Sequence, residues 1–456
     1  MLTLDLGILL LALPLVVVAL PLLTFAALGL WALLVAPPAE ATTARASALA
    51  FGAGLAATLA LTLGMAASGT HHLDVRLGAW FGAPPGAGGY TFPLVLLVDR
   101  LTVPFMALTV GLLGLVGAFS ARYLHGERGF TRFFLLLHLF AGGMLLITMA
   151  GSIDLLFAGW ELVGVASALL IGFFQERRAP LRSALRAFAT YRVCDVGLLV
   201  GAVLLHEHAR TAVFADVFGP GPWPRGEVGL EAGAATAIAL CCVFAALGKS
   251  AQVPFSGWLP RAMEGPTPSS AIFYGALSIH AGAYLLLRLG PLLDQAPWAS
   301  RALVAVGLLS ALHGTLVGRA QSDVKSALAY ASMAQVGLIL AEIGLGLRLV
   351  PLLHLVGHAC VRTLQLLRAP SLVQERARLE AAWGGPLPAT GAHYRWLLPA
   401  RAREALYRLA LERGHHDAAL ERLLVGPLLA LAGALDRLER AWTGLLGGRR
   451  REEAPR

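Results

Sequence analysis

Apolar runs recur along most of the chain, separated by short segments that collect the charged residues. The runs are about 20 residues long, the length a helix needs to cross a hydrocarbon core of roughly 30 Å. The pattern predicts helices over 4–35, 46–69, 94–120, 132–150, 154–174, 187–206, 233–255, 268–289, 301–319, 325–346 and 350–368. The expected fold is an all-α polytopic membrane bundle of about eleven transmembrane helices. Two Gly/Pro-rich connections, His71 to Tyr90 and Glu207 to Glu231, read as surface loops. Beyond Arg368 charged stretches end the spanning region, and Leu423 to Leu435, about 13 apolar residues broken by Gly426 and Pro427, reads as an interfacial amphipathic helix.

Composition sharpens this picture. Of 456 residues 57% are hydrophobic and 14% charged, with mean hydropathy +0.70, far from a soluble domain. The net charge of +9 sits in loops and the tail without a sustained basic face or reader motif, so a nucleic-acid partner is not expected. The positive-inside rule explains it better. Arg45, then Arg122, Arg128 and Arg132, then Arg177, Arg178, Arg182 and Arg186, then Arg261, then Arg319 and Lys325 fall in alternate connections. The N-terminus is predicted outside and the tail cytoplasmic, in a multi-pass protein of the cell inner membrane. The N-terminal apolar run outlasts a signal-peptide core and reads as the first span. Cys194, Cys241, Cys242 and Cys360 lie in apolar stretches without metal or disulfide spacing and read as core.

An ionisable group in the middle of a spanning helix costs about 2.5 to 3.5 kcal/mol on insertion scales, so each one needs a partner or a water-filled cavity. Glu161 stands within Phe157-Ala-Gly-Trp-Glu-Leu-Val-Gly-Val, and its plain reading is a carboxylate hydrogen-bonded to a neighbouring helix. Lys249 closes a long apolar run. Pro254 removes a donor and clashes with the carbonyl of Ser250, so the helix is expected to break just past the lysine. Gly248-Lys249-Ser250 is no phosphate-binding loop, because Val243 stands where that loop needs glycine. If Glu161 and Lys249 lie within about 4 Å at an effective dielectric near 20, they attract by about 4 kcal/mol, enough for a partner's movement to load or unload the lysine.

Pro266 and Pro268 open the next helix, and His280 lies about 18 Å further along it by the standard rise. A histidine there can exchange protons near neutral pH. His354, His358 and Arg362 repeat every four residues and share one helix face as a polar file. A zinc site on the two histidines lacks a third ligand, so no metal is expected. Lys325 joins the relay candidates. Asp99 at the start of the third helix, Arg192 with Asp195, and Asp323 with Lys325 lie near predicted helix ends, where a structural salt bridge serves as readily as transport. Without a Rossmann glycine pattern or cysteine cluster, no redox cofactor is expected.

With these residues the chain resembles the antiporter-like membrane subunits of respiratory complex I, of the NADH-quinone oxidoreductase subunit 5 or subunit L type. The shared motifs are Gly159-Trp-Glu-Leu-Val-Gly, Ala187-Phe-Ala-Thr-Tyr-Arg-Val-Cys-Asp, Gly248-Lys-Ser-Ala-Gln-Val-Pro, Trp258-Leu-Pro-Arg-Ala-Met-Glu-Gly-Pro-Thr-Pro-Ser-Ser-Ala and Ser322-Asp-Val-Lys-Ser-Ala-Leu-Ala-Tyr-Ala-Ser-Met-Ala-Gln-Val-Gly. They cover roughly residues 90 to 365.

The resemblance implies an inverted-repeat core with discontinuous helices over 94–368, preceded by N-terminal helices and an outer loop (1–93) and followed by a tail (369–456). It implies that Glu161 modulates a proton-carrying Lys249 and that a histidine and lysine file joins the halves. Three departures stand out. Tyr274 occupies a position where the family often has histidine, with His280 six residues on; Arg362 replaces a lysine and looks like a fixed charge; and a late lysine helix has no counterpart.

The first reading is a proton-translocating, translocase-type subunit using Glu161, Lys249, His280, His354, His358 and Lys325, supported by Arg192, Asp195, Pro254 and Arg362. Its expected partners are other membrane and peripheral subunits, the lipid bilayer, and protons or sodium. Two other readings use the same residues: the membrane subunit of an inorganic-carbon uptake or sodium/proton antiporter complex, and a non-conducting scaffold.

Overall fold

The computed structural model describes residues 2–82, 91–219, 221–386 and 399–446. Helices α1 (Leu2–Leu34) and α2 (Glu40–Ser68) lead into an antiparallel hairpin, β1 (His72–Gly82) and β2 (Thr91–Asp99). The central bundle runs through α3 (Thr102–Tyr123), α4 (Phe130–Met149), α5 (Ile153–Ile171), α6 (Arg178–Ala209), a short α7 (Phe214–Phe218) and α8 (Ala232–Lys249). Next come α9 (Thr267–Ser270), α10 (Ala281–Arg288), α11 (Gly290–Gln295), α12 (Pro297–Arg319), α13 (Val324–Gly344) and α14 (Leu349–Trp383). The tail holds α15 (Ala400–Leu411), α16 (His416–Leu420) and α17 (Gly426–Leu446).

Twelve segments among the described residues are long and apolar enough to cross a bilayer. With large hydrophobics such as Leu23 and Val203 turned outward at 65% and 60% exposure, the chain is an all-α polytopic membrane bundle. The twelfth candidate, Ala418–Leu446, goes beyond the eleven spans read from sequence. Helix α17 is 21 residues rather than 13, because Leu438, Trp442 and Leu445 continue its apolar face past Asp436 and Arg437.

Several boundaries differ from expectation, each for a local reason. The stretch from His72 is a strand, not a surface loop: Val75 and Leu96 pair across the hairpin and are buried against Leu61 and Met106. Residues 83–90 of that predicted loop lie outside the described residues. Because β2 consumes 91–99, α3 begins at Thr102, and Asp99 sits at the strand end rather than on the helix. The other predicted loop is shortened by α7, whose Phe214 and Phe218 stack and are buried. Helix α6 begins nine residues before its predicted start, so Arg192 and Asp195 lie near its middle instead of its end. Helix α14 continues well past Arg368 to Trp383.

Helix approach is set by small residues, since bilayer helices gain little from apolar contact with one another. A Cβ on Gly159 would lie 2.7 Å from the Gly143 carbonyl oxygen, so α5 meets α4 backbone to backbone. That contact fixes Trp160 and Glu161 next to α6. A Cβ on Gly248 would collide with the Cys194 side chain, so the glycine lets α8 pack closely against α6.

Two breaks lie at the centre. Helix α8 stops at Lys249, followed by Ala251 at φ +53 and the 3-10 turns Phe255–Trp258 and Arg261–Glu264. Gln252 and Val253 restore hydrogen bonds lost at the break: Gln252 Nε2 donates to the Ser250 carbonyl at 2.7 Å, and Val253 N donates to Ser310 Oγ at 3.0 Å. The Thr267–Arg288 segment is likewise not one regular helix. A π-helical turn, Ala271–Ala276, and a 3-10 turn, Ser278–His280, interrupt it, so the depth of His280 does not follow from a uniform rise.

Candidate functional site

Helices α5, α6 and α8 bring Glu161, Trp160, Arg192, Asp195 and Lys249 together, and the pairing differs from the expected one. Glu161 forms its ion pair with Arg192. No ion pair joins Glu161 to Lys249 among the described residues. Arg192 Nη2 also donates to Asp195 Oδ2 at 2.7 Å, and Asp195 Oδ1 accepts the indole N–H of Trp160 at 2.5 Å. One guanidinium therefore bridges two carboxylates. Its geometric advantage over Lys249 is reach: Arg192 stands mid-helix opposite Glu161, whereas the helix ends at the lysine.

Lys249 is 1% exposed. Its Nζ donates to the Trp160 carbonyl at 3.0 Å and lies 4.8 Å from the ring centres of both Trp160 and Tyr191. Two π faces and one carbonyl stabilise the cation without neutralising it. Trp258 sets this cradle, stacking edge-on against Tyr191 and donating its indole N–H to the Gly248 carbonyl at 3.0 Å. Gly164 leaves room for the charges. A Cβ there would lie 2.9 Å from Arg192 Nη2 and 3.2 Å from Lys249 Nζ, so the two cations are within about 6 Å.

The second cluster lies where the interrupted Thr267–Arg288 segment meets α14. His280 Nδ1 contacts the Ala276 carbonyl at 2.5 Å, and its Nε2 contacts His358 Nδ1 at 2.9 Å, with the rings edge to face. The carbonyl can only accept, so Nδ1 of His280 carries the proton. In a neutral pair His280 Nε2 then accepts from His358 Nδ1–H. That leaves His358 Nε2 as the proton-accepting atom, and it has no partner among the described residues.

The predicted polar file on α14 divides. His358 faces His280, while His354 turns to α13, placing Nδ1 2.9 Å from Glu342 Oε1 and Nε2 2.9 Å from Gln335 Oε1. Four-residue spacing drifts around a helix, so two neighbouring elements share the file. Arg362 is 7% exposed and packs its aliphatic stem against Gly275. Lys325 stands apart on the first turn of α13 within electrostatic reach of Asp323 and Glu264, with no hydrogen bond to the histidines. Pro254 stays within the break after α8, and the Tyr274 side chain lies outside the described residues. Cys194 and Cys242 are buried as expected, Cys241 is half-buried, and Cys360 is exposed on the outward face of α14.

In a third buried group, sequence reasoning named Asp99 but missed its partner Arg288. Arg288 clamps Asp99 with two donors at 2.5 and 3.1 Å, and its Nη2 also donates to Thr102 Oγ1 and Tyr284 Oη at 3.0 Å each. Tyr284 Oη donates a hydrogen bond to the Thr148 carbonyl. Asp99 Oδ1 accepts the backbone N–H groups of Leu101 and Thr102 at 3.0 and 2.9 Å, capping the first turn of α3. Its sequence signal was the Tyr284 to Arg288 spacing of one helical turn. Trp160, Glu342 and Gln335 had no such signal: nothing in the pattern separates them from ordinary helix residues.

The family described as NADH:quinone oxidoreductase/Mrp antiporter, TM, matches residues 150–382. The N-terminal model of NADH-ubiquinone oxidoreductase (complex I) chain 5 matches residues 85–134. NADH-quinone oxidoreductase subunit L of Mycobacterium tuberculosis is 40% identical over 260 residues, covering 57% of this chain and 40% of the relative. NADH-ubiquinone oxidoreductase chain 5 of Neurospora crassa is 35% identical over 275 residues, covering 60% and 38%. The chain thus spans less than half the length of these relatives. Among solved structures, the Mrp complex from Dietzia sp. aligns with TM-score 0.65 and 26% identity over 79% of this chain and 38% of the other.

Proposed function

Because the chain belongs to the NADH:quinone oxidoreductase/Mrp antiporter transmembrane family, we propose that it is a proton-translocating subunit of a multisubunit membrane complex. In this reading it is of the NADH-quinone oxidoreductase subunit 5 or L type. Residues 94–368 form the translocation core in this reading, in the cell inner membrane with the N-terminus outside and the tail cytoplasmic. The observation that carries the proposal is Lys249, buried at the end of a broken helix and held by groups that do not cancel its charge.

The carrier works through Arg192. Two unit charges about 6 Å apart at an effective dielectric near 20 repel by about 3 kcal/mol, while the Asp195 carboxylate offsets part of that repulsion. How Arg192 is shared between Glu161 and Asp195 therefore sets how readily Lys249 holds its proton. Protonation of Glu161 releases the guanidinium toward Asp195, removes the offset and drives the lysine to discharge. Ser250 and Ser278 flank the two breaks, and Gly282 packs against Ser250, so hydroxyl groups lie on the way from Lys249 to His280 and His358. His280 discharges only after its ring turns, because Nδ1–H faces a carbonyl; this makes the pair a gate as well as a relay.

The likeness to the Mrp complex over 79% of the chain supports a second reading, the same module within a sodium/proton antiporter assembly. Proton flux through vesicles containing the whole complex tests both. Lys249→Ala is expected to reduce flux more than tenfold and Glu161→Gln by a smaller factor. Unchanged pumping in both variants would overturn the relay. A sodium gradient driving flux in the wild type selects the antiporter reading, and mass spectrometry of co-purified subunits identifies the complex.

A further inference from the structure

A groove of about 570 Å³ opens where the first turns of α6 meet the tail. Arg178, Arg182 and Arg186 line it from α6, Arg261 from the 3-10 turn after the α8 break, and Glu421 from the turn before α17. Four guanidinium groups thus face one carboxylate. Arg186 Nη1 pairs with Glu421 Oε2 at 2.5 Å, and Arg261 Nη1 donates to the Gly257 carbonyl at 2.8 Å. Arg178 and Arg182 are exposed and make no hydrogen bond or ion pair among the described residues. A groove with this excess of planar, forked donors fits a phosphate oxyanion.

The apolar surface beside it decides which phosphate. Leu185 and Leu429 line the same groove. From Leu185 an outward stripe continues along α6 through Val196, Leu199 and Val203, exposed by 43%, 54%, 47% and 60%. Their spacings of 11, 14 and 18 residues from Leu185 return to within about 40° of one helix face at 3.6 residues per turn, and Arg178 lies on that face one heptad before it. A cationic head site therefore stands at the end of an apolar track, the layout of a phosphate bearing acyl chains rather than of a free anion. We infer that the groove between α6 and the tail binds the headgroup of an anionic phospholipid, with an acyl chain along the Leu185 to Val203 face.

Binding there ties the tail to the bundle, since Glu421 and Leu429 belong to the tail and the arginines to α6. Full-length protein, purified with any subunits it carries, is placed in nanodiscs of mixed phosphatidylglycerol and phosphatidylcholine, and retained lipid is counted by native mass spectrometry. Phosphatidylglycerol is expected to be enriched above its bulk fraction, with the enrichment falling about fivefold for each charge removed in Arg178→Gln with Arg182→Gln. If that variant fails to fold, Arg178→Lys with Arg182→Lys, which keeps the charge and loses the fork, is expected to retain part of the enrichment. No enrichment in the wild type overturns the inference. So does displacement of phosphatidylglycerol by millimolar inorganic phosphate, which would make the groove a soluble-anion site.

Discussion

Lys249 and Arg288 are both cations at the heart of the bundle, 1% and 4% exposed, yet their surroundings are opposite. Arg288 meets a carboxylate with both terminal nitrogens, and the same Nη2 also reaches Thr102 and Tyr284, while the carboxylate caps a helix. Lys249 meets one carbonyl and two aromatic rings, with another cation close by. A charge matched by its own carboxylate through both terminal nitrogens has little reason to change state. One held by neutral groups beside a shared guanidinium has its charge balance set by a neighbour. Burial alone does not distinguish a carrier from a brace; the partner set does.

The comparison is tested most severely at the brace. Arg288→Leu leaves Asp99 buried without its counter-charge and is expected to cost about 3–5 kcal/mol, read as a large fall in the unfolding midpoint in mild detergent. The double variant Arg288→Leu with Asp99→Leu should recover much of it, since an apolar replacement of a buried pair is often neutral. A single variant as stable as the wild type would remove the distinction between the two cations.

At the carrier the expected effect on stability is smaller. Lys249→Met gives up one hydrogen bond and the ring contacts but also removes a buried charge that the Asp195 carboxylate offsets only in part, so stability should stay within about 1 kcal/mol of wild type. Flux should be lost all the same. A loss of stability as large as that of Arg288→Leu would make Lys249 a second brace and defeat the reading of its site.

Much of the fold was legible because a spanning segment must be long and apolar, and Pro254 marked the break after Lys249. What stayed hidden was lateral. The hairpin was missed because Gly78 and the glycines after it read as loop chemistry and the apolar run from Leu94 as the start of a helix, while the pairing that overrides both is non-local. The Glu161 partner was misassigned because sequence gives a residue's depth and face but not which of two nearby cations reaches it. Arg192, shifted to mid-helix by the early start of α6, reaches it first. The division of His354 from His358 likewise depends on what packs against α14, which its own spacing does not encode. Arg288 escaped notice because an arginine at a helix end ordinarily snorkels to the interface; only the fold brings Asp99 to it.

The smallest effect sits at the edge of the brace. His72 pairs across the hairpin with Asp99 and lies 3.3 Å from Asp74. The adjacent Asp74 carboxylate holds its pKa above the ordinary 6.5, against the opposing pull of burial. A raised folded-state pKa stabilises the hairpin fully below the unfolded value, and that contribution disappears as pH rises through the folded one. Amide exchange in His72–Gly82, corrected for intrinsic rates, should therefore show weaker protection at pH 8 than at pH 6, with the difference abolished in His72→Gln. Because Arg288 and Asp99 are locked to each other, this titration should remain local and leave proton flux at fixed driving force unchanged. If flux follows the histidine, the Asp99–Arg288 pair transmits a charge change across the bundle, and the division into a fixed cation and a responsive one must be redrawn.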